Sequence, residues 1–426
     1  MNPHSLLPTA VRSNRELMVR KKNFIVPKSA GGSDTLTSDF VLNGKLEGSS
    51  AWPTMINRVS LSVNVMFQPP VGFSETGVTN DSQLRITHIF NQDPMSIYNT
   101  IDTYKIMVGG DRYIYLTGSE IYTYFMDNMD SSQFDEFKKM ITIKKYVKNS
   151  RVIFPVPWMS MWEKIKGIPI DHNTNIVITV KFKNTATTAT FPFLLTDTEL
   201  QLTGLYLQRR IVEYPFGQPI TYEDSDIDWF LNQYTCTNWL CLNTQKVNLK
   251  PDTSNPNLAL PLIGKKYISK IYLRRYAITS GQNQHKVMLV EKTQVIVDGL
   301  DITENFPNEV FLNQNPGRIS DFISRDSHLL TLVDFGWNHK NIDYIGLEGF
   351  LSVETSTKVE ISYQTAQLTK SSLALENTTG YLLVESYSHK PAHTLIHNRT
   401  MGNVQDIFGH VKVAAPQYNP DIIVVP

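Results

Sequence analysis

The sequence predicts an all-β protein made of two sandwiches in tandem. Three observations carry this. The chain has 426 residues, too many for one ordinary core and suited to two domains of about 200 residues each. Aromatic residues make up 11% of it, Thr, Ile and Val are frequent, and 22 Gly and 22 Pro supply tight turns. Short runs of alternating apolar and polar residues, bounded by those turns, recur through both halves.

The cleanest alternation places Val59, Leu61, Val63, Val65 and Phe67 on one face and Ser60, Ser62, Asn64 and Met66 on the other, and Pro69-Pro70 ends the run. The segment 101–125 compresses a whole structural unit. Tyr104, Ile106 and Val108 alternate as a half-buried strand, Gly109-Gly110-Asp111 turns where a positive φ is needed, and 112–116 forms a second short strand. Thr117-x-x-Glu120 is then a capping box, with Ile121, Tyr124 and Phe125 on one face of the helix that follows. Residues 132–148 carry Phe134, Phe137 and Ile141 at helical spacing, which leaves Lys138, Lys139, Lys144 and Lys145 to a solvated face.

Pro155 and Pro157 exclude a central strand or a helix interior, so Trp158 and Trp162 are expected on a rigid loop or short helix. Ile176, Ile178, Val180 and Phe182 make the next strand, and 199–210 reads as the last strand of the first half. Pro215, Gly217 and Pro219 mark a linker, and 225–232 a short helix. In the second half, strands are expected at 267–276, with Arg274-Arg275 near its end, at 287–290, at 294–297 before the Asp298-Gly299 turn, and at 329–335, 349–354, 358–363 and 381–387. Similar strand counts in the two halves suggest duplication, without a residue-level repeat.

The formal charge is zero, 40 basic against 40 acidic residues, so no whole-molecule field draws nucleic acid or an anionic membrane. Residues 1–35 differ locally. Arg12, Arg15, Arg20, Lys21, Lys22 and Lys28 precede Ser29-Ala30-Gly31-Gly32-Ser33, the composition of a mobile solvated arm or of one that reaches a neighbouring subunit, a membrane or packaged nucleic acid. Leu6-Leu7 before Pro8 is no signal-peptide core, and no window offers the roughly 18 apolar residues of a membrane span, so folding in cytosol or nucleus is expected. Cys236 and Cys241 match neither a zinc knuckle nor a redox pair and read as reduced thiols. The sequons at Asn80, Asn377 and Asn398 read as chance matches.

No nucleophile elbow, phosphate-cradling loop, dinucleotide fingerprint or H-E-x-x-H zinc motif is present, and no cofactor is implied. His389, His393 and His397 are spaced for one helical face, but Pro391 argues against the helix that zinc or copper ligation would need. Glu354 and Glu360 on neighbouring strands are a formal glycosidase pair, more simply read as outer-face carboxylates. Tyr113, Tyr115, Tyr122 and Tyr124 suit sheet-to-helix packing better than a sugar-stacking surface.

The Gly-Gly strand end leading through a short polar strand into an aromatic helix resembles the double jelly-roll major capsid proteins of nucleocytoplasmic large DNA viruses, virophages and Polinton-like elements. So does the later order: a Pro-x-Pro-aromatic loop at 155–158, a strand at 176–182, a turn like Val297-Asp298-Gly299, the aromatic Phe335-Gly336-Trp337, a Lys-Val-x-Ile strand and a final Tyr-rich strand. The Asn-Pro-Gly commonly found after the Pro-x-Pro loop is missing, with Lys166-Gly167 nearby instead. The resemblance spans about residues 40–400 and rests on order and spacing.

It implies two tandem jelly rolls with short helices in the loops: a basic arm at 1–35, a first jelly roll at 36–214, a second at 215–400 and a C-terminal extension at 401–426. It further implies a structural, non-enzymatic major capsid protein whose homotrimeric, pseudo-hexagonal capsomers tile an icosahedral shell. The protein would be made in the host cytoplasm and reside in the virion. Its partners would be its own copies, neighbouring capsomers, and penton and minor capsid proteins, with an internal membrane or the genome reached through Arg12, Arg15, Arg20, Lys21 and Lys22. Trp158, Trp162, Tyr122, Tyr124, Arg274 and Arg275 are the candidate assembly contacts; the aromatics, which stand outside the clean strand pattern in the 119–126 helix and the 155–162 loop, are expected near lobe–lobe or subunit contacts. A jelly-roll assembly scaffold, a single jelly roll with a large insertion, and a carbohydrate-binding or hydrolysing β-sandwich are the alternatives.

Overall fold

A computed structural model describes residues 17–29, 36–42, 54–67, 97–98, 100–129, 132, 135–137, 149–163, 165–170, 175–183, 193–209, 224–236, 238–249, 254–260, 267–279, 282–284, 290–303, 329–335, 350–353, 358–365 and 378–389. Its first nine strands are β1 (Leu17–Pro27), β2 (Thr37–Leu42), β3 (Thr54–Phe67), β4 (Ile101–Val108), β5 (Asp111–Leu116), β6 (Asn149–Val156), β7 (Ile168–Ile170), β8 (Ile176–Phe182) and β9 (Phe193–Arg209). Helix α1 (Gly118–Asn128) lies between β5 and β6, and α2 (Asp224–Tyr234) follows β9. The remaining strands are β10 (Asn238–Leu249), β11 (Ser254–Ala259), β12 (Tyr267–Thr279), β13 (Gln282–Gln284), β14 (Val290–Val297), β15 (Leu300–Asp301), β16 (Leu329–Asp334), β17 (Leu351–Ser352), β18 (Val359–Thr365) and β19 (Thr378–His389).

The first lobe stacks the sheet β1-β9-β3-β6 on the strands β2-β8-β4-β5. The second stacks β10-β19-β12-β16 on β11-β18-β14-β15. With the short extra strands β7, β13 and β17 set aside, each lobe has eight strands among the described residues. Counted in chain order within a lobe, they run 1-8-3-6 in one sheet and 2-7-4-5 in the other, in both lobes. That is the strand order of a jelly roll, and the chain contains it twice. The duplication absent at residue level is therefore plain in topology. One local echo survives: the 4-to-5 hairpins turn at Gly109-Gly110 in one lobe and Asp298-Gly299 in the other, all four at positive φ.

Physical chemistry explains the elements. Phe40, Leu61, Val63, Ile106, Phe154, Ile178, Val180 and Leu202 are buried between the sheets of the first lobe, while their alternate neighbours face out. The second core gathers Ile268, Ile271, Val295, Val359, Ile361, Leu382 and Val384. Pro155 is tolerated because β6 is the edge of its sheet. Gly204 lies where a Cβ would meet Thr54, Ile56 and Phe24 at 2.9 to 3.1 Å.

Three expectations change. Residues 17–27, expected in a mobile arm, form β1, paired along its length with β9 from Leu17↔Arg209 to Pro27↔Glu199. Phe24 and Val26 enter the core, and that burial outweighs the charges around them. Arg20, Lys21 and Lys22 accordingly stand on a sheet edge. Second, β10 is a long strand that sequence reasoning left unassigned. Third, Val290 and the strand expected separately at 294–297 belong to one strand, β14, while 287–289 lie outside the described residues. Most of the 132–148 stretch, Asn80, Asn377, Glu354, His393, Asn398 and residues 401–426 lie outside the described residues.

Candidate assembly interfaces

The chemistry-bearing side chains collect at one place, the seam between the lobes. It begins with a backbone joint. β5, the last strand of its sheet, pairs parallel with β10 at Ile114↔Leu242 and Tyr115↔Asn243, fusing strands of both lobes into one ten-stranded sheet. Asn243 fastens the joint, accepting from Arg112 Nε at 3.1 Å and donating to the Tyr113 carbonyl at 3.3 Å. Arg112 also lies 4.9 Å over the Tyr115 ring, and Tyr113 packs 5.5 Å from Trp239.

α1 lies over this joint. Its N-terminus carries the capping box read from sequence: Glu120 reaches back to accept the Thr117 N–H at 2.7 Å. The same carboxylate oxygen accepts the Thr244 hydroxyl at 3.0 Å, so the cap of a first-lobe helix is tied to a second-lobe strand. Gly118 allows the helix to start there, since a Cβ would fall 1.6 Å from the Tyr98 carbonyl oxygen. Tyr124, fully buried, meets Tyr272 edge-on at 6.4 Å and accepts Trp162 Nε1–H at 3.0 Å.

The Pro-x-Pro segment forms the floor. Tyr98 and Tyr104 donate to the Pro155 and Pro157 carbonyls at 2.8 and 2.9 Å. Trp158 is fully buried and donates to the Ile56 carbonyl at 2.8 Å. The end of α2 and the start of β10 dock just beyond that segment: Leu240 N–H bonds the Met159 carbonyl, and Gly167 exchanges backbone bonds with Tyr234 and Cys236.

The second lobe answers with the outer face of β10-β19-β12. Leu382 and Val384 point to their own core, whereas Leu383, Glu385 and Tyr387 point to the first lobe; on β12, Ile271 and Tyr272 divide the same way. Glu385 is only 1% exposed and accepts Ser269 Oγ–H at 2.8 Å, and buried Lys270 is its cross-strand partner in register. Burial, and next to it the Glu385 charge, holds the Tyr124 and Tyr387 hydroxyls well above the usual phenol range. Burial first and Glu163 second push the Cys236 thiol up. Neither Cys236 nor Cys241 is in a disulfide, and both are buried.

The structure thus separates the candidate contacts. Trp158, Tyr122 and Tyr124 are buried: Tyr124 stands at the lobe–lobe contact against Tyr272, while Tyr122 packs on Tyr98 and Phe137 and Trp158 on the Ile56 backbone within the first lobe. Trp162 is half-buried in the same seam. Arg274 and Arg275 lie on β12 opposite Tyr381 and Gly380 of β19. Arg12 and Arg15 lie outside the described residues. Tyr113, Tyr122 and Tyr124 are packed rather than displayed, as sheet-to-helix packing requires. Glu360 pairs with Lys358 at 2.7 Å, and among the described residues no group of His, Cys, Asp and Glu could hold a metal ion. Thr244, Tyr272, Glu385 and Tyr387 were missed. The signal for the last two was the run 381–387, apolar on both parities, as in a strand buried on both faces.

No protein-family model and no curated protein sequence matches the chain. Solved structures do. PBCV-1 VP54, fitted into a cryo-EM reconstruction of the virophage Sputnik, aligns over 87% of this chain and 94% of its own with a TM-score of 0.52 and 8% identity. A chain of the PBCV-1 virus capsid aligns over 87% and 93% with a TM-score of 0.51, again at 8% identity. The chain is a double jelly roll. The likeness covers both lobes, and at this identity it resides in the fold. What makes the double jelly roll one body here is the parallel β5–β10 joint together with the aromatic layer on it.

Proposed function

We propose that the protein is a structural major capsid protein that forms homotrimeric capsomers. The single observation that carries the reading is the duplicated jelly-roll topology, fused here in one sheet, in a fold similar to that of a chain of the PBCV-1 virus capsid. Two similar lobes per chain give six around a threefold axis, and a six-lobed block has the outline that tiles a flat facet. The mechanism is assembly. Strand edges and loops outside the sandwiches carry contacts, while the cores stay unchanged from one position in the shell to another.

Zero net charge supports the reading, because neighbouring trimers then do not repel over long range. The trimer interface should bury on the order of 2,000 Å² or more, and contacts between trimers less, so that misplaced tiles can leave. Arg274 and Arg275 are proposed contacts with neighbouring subunits or capsomers. The basic segment ahead of β1, with Arg12 and Arg15, is proposed to face inward toward membrane, minor capsid protein or genome. Arg20, Lys21 and Lys22 would stand at its root.

Deleting residues 1–16 tests the arm: trimers should form unchanged, while particle assembly or nucleic-acid retention falls. Unchanged particles would reduce the segment to a tail. Solution mass with negative-stain imaging of the purified full chain tests the capsomer.

A further inference from the structure

The face of β10-β19-β12 that the first lobe covers is mixed in character. Leu242, Leu383 and the ring of Tyr272 pack with the first core, whereas Lys270 and Glu385, cross-strand partners in register, carry charge. Both charged residues are enclosed in the folded chain, at 2% and 1% exposure. Enclosing them at a seam that hydrocarbon could fill costs free energy, so stability alone gives no reason for their place.

The surroundings of Glu385 supply a directional reason. Ser269 donates to its Oε1 at 2.8 Å, and Oε2 is enclosed as well. The hydroxyls of Tyr124 and Tyr387 face the same carboxylate, whose charge helps to keep both phenols protonated. Tyr124 already accepts Trp162 Nε1–H at 3.0 Å, so its own proton is left to be donated, and the Glu385 carboxylate stands where it can be received. Ser269 and Tyr387 belong to the second lobe and stay with Glu385 wherever the first lobe sits. Among the described residues facing the carboxylate, Tyr124 is the donor that the first lobe brings.

We propose that Glu385 selects the seat of the first lobe: the face accepts a surface that brings a hydroxyl donor to this carboxylate and refuses one that encloses it against hydrocarbon. A misplaced lobe leaves a buried charge short of a donor, and that penalty falls on the wrong seat alone. While the lobes are still apart during folding, Glu385 and Lys270 face water and keep the surface from behaving as an adhesive apolar patch. The two charges therefore serve uniqueness and solubility rather than strength. The inference concerns a single chain and is independent of whether chains assemble into trimers.

A double-mutant cycle in the full chain tests this. Tyr124→Phe deletes the hydroxyl alone, Lys270→Met with Glu385→Leu makes the face apolar, and a third variant combines them. In denaturant unfolding, Tyr124→Phe should lower the folding equilibrium constant about tenfold more in the parent than in the apolar background, since the lost Trp162 contact is common to both. With Glu385→Gln, whose amide oxygen still accepts, the extra cost of Tyr124→Phe should return. The apolar variant itself should keep a folding constant within about tenfold of the parent's. On refolding by rapid dilution it should scatter light at about tenfold lower protein concentration than the parent does. An equal cost of Tyr124→Phe in the parent and apolar backgrounds, an apolar variant that refolds as cleanly as the parent, or one that loses far more than tenfold in stability would each overturn the proposal. None of these readouts depends on trimers, so the capsid reading would stand or fall separately.

Discussion

At the scale of single residues, the seam is held by burial more than by charge. Trp158 is enclosed and its indole N–H is satisfied by the Ile56 carbonyl, so Trp158→Ala removes packing and leaves an acceptor behind; a loss of about 3 to 5 kcal/mol is expected in denaturant unfolding. Two glycines should behave oppositely despite similar sequence context. Gly118→Ala would force a methyl group into the Tyr98 carbonyl and should abolish soluble folding. Gly109→Ala, at φ +59° with open space around it, should cost only about 1 to 2 kcal/mol. The buried hydroxyls and thiol set the response to pH. Tyr98, Tyr104, Tyr124, Tyr387 and Cys236 all have folded-state pKa values raised by burial. In the unfolded chain they ionise near roughly 8.5 for the thiol and roughly 10 for the phenols. Above those values the unfolded state binds fewer protons than the folded one, so their contribution is complete at neutral pH and drains as pH rises toward the folded values. Melting temperature should hold up to about pH 8.5 and then fall steadily; a flat profile to pH 11 would contradict the enclosed seam.

At the scale of elements, legibility followed the number of wet faces. β3 alternates over 59–65 because Val59, Leu61, Val63 and Val65 meet the core while the other side carries polar residues, with Ser62 beneath Arg151; the buried start at 54–57 escaped the reading. β10 escaped because Trp239, Leu240, Cys241 and Leu242 are all buried at successive positions, and alternation disappears where both faces are covered. β1 escaped for another reason. Phe24 and Val26, its inward residues among those whose side chains are described, are a short signal beside Arg20, Lys21 and Lys22, and only pairing with the long β9 makes the strand worthwhile. The capping box of α1 was legible because it is local chemistry. What no local rule could supply was its second duty, since Thr244 lies far along the chain from Glu120. The aromatic candidates were placed at lobe–lobe or subunit contacts on the same kind of signal: aromatics off the strand pattern mark something to be covered, and only the fold shows that Tyr124 meets the chain's own second lobe at Tyr272. Glu120→Ala would remove both the cap and the tie to β10, with an expected loss of about 1 to 3 kcal/mol. Thr244→Val, which leaves the cap in place, should lose less, and equal losses would deny the link between helix and lobe.

At the scale of the whole molecule, two copies of one topology are joined through the parallel β5–β10 pairing, and everything proposed about assembly depends on that doubling. A chain built this way offers two non-equivalent sandwich units in fixed orientation, so a threefold particle acquires six lobes without needing six chains. Size-exclusion chromatography with light scattering and negative-stain class averages, applied to the purified full chain, tests this most directly. The account predicts a mass of three 48.5 kDa chains and threefold class averages with a six-lobed, near-hexagonal outline. A single-chain mass at all concentrations, or particles whose averages show twofold symmetry, would contradict it.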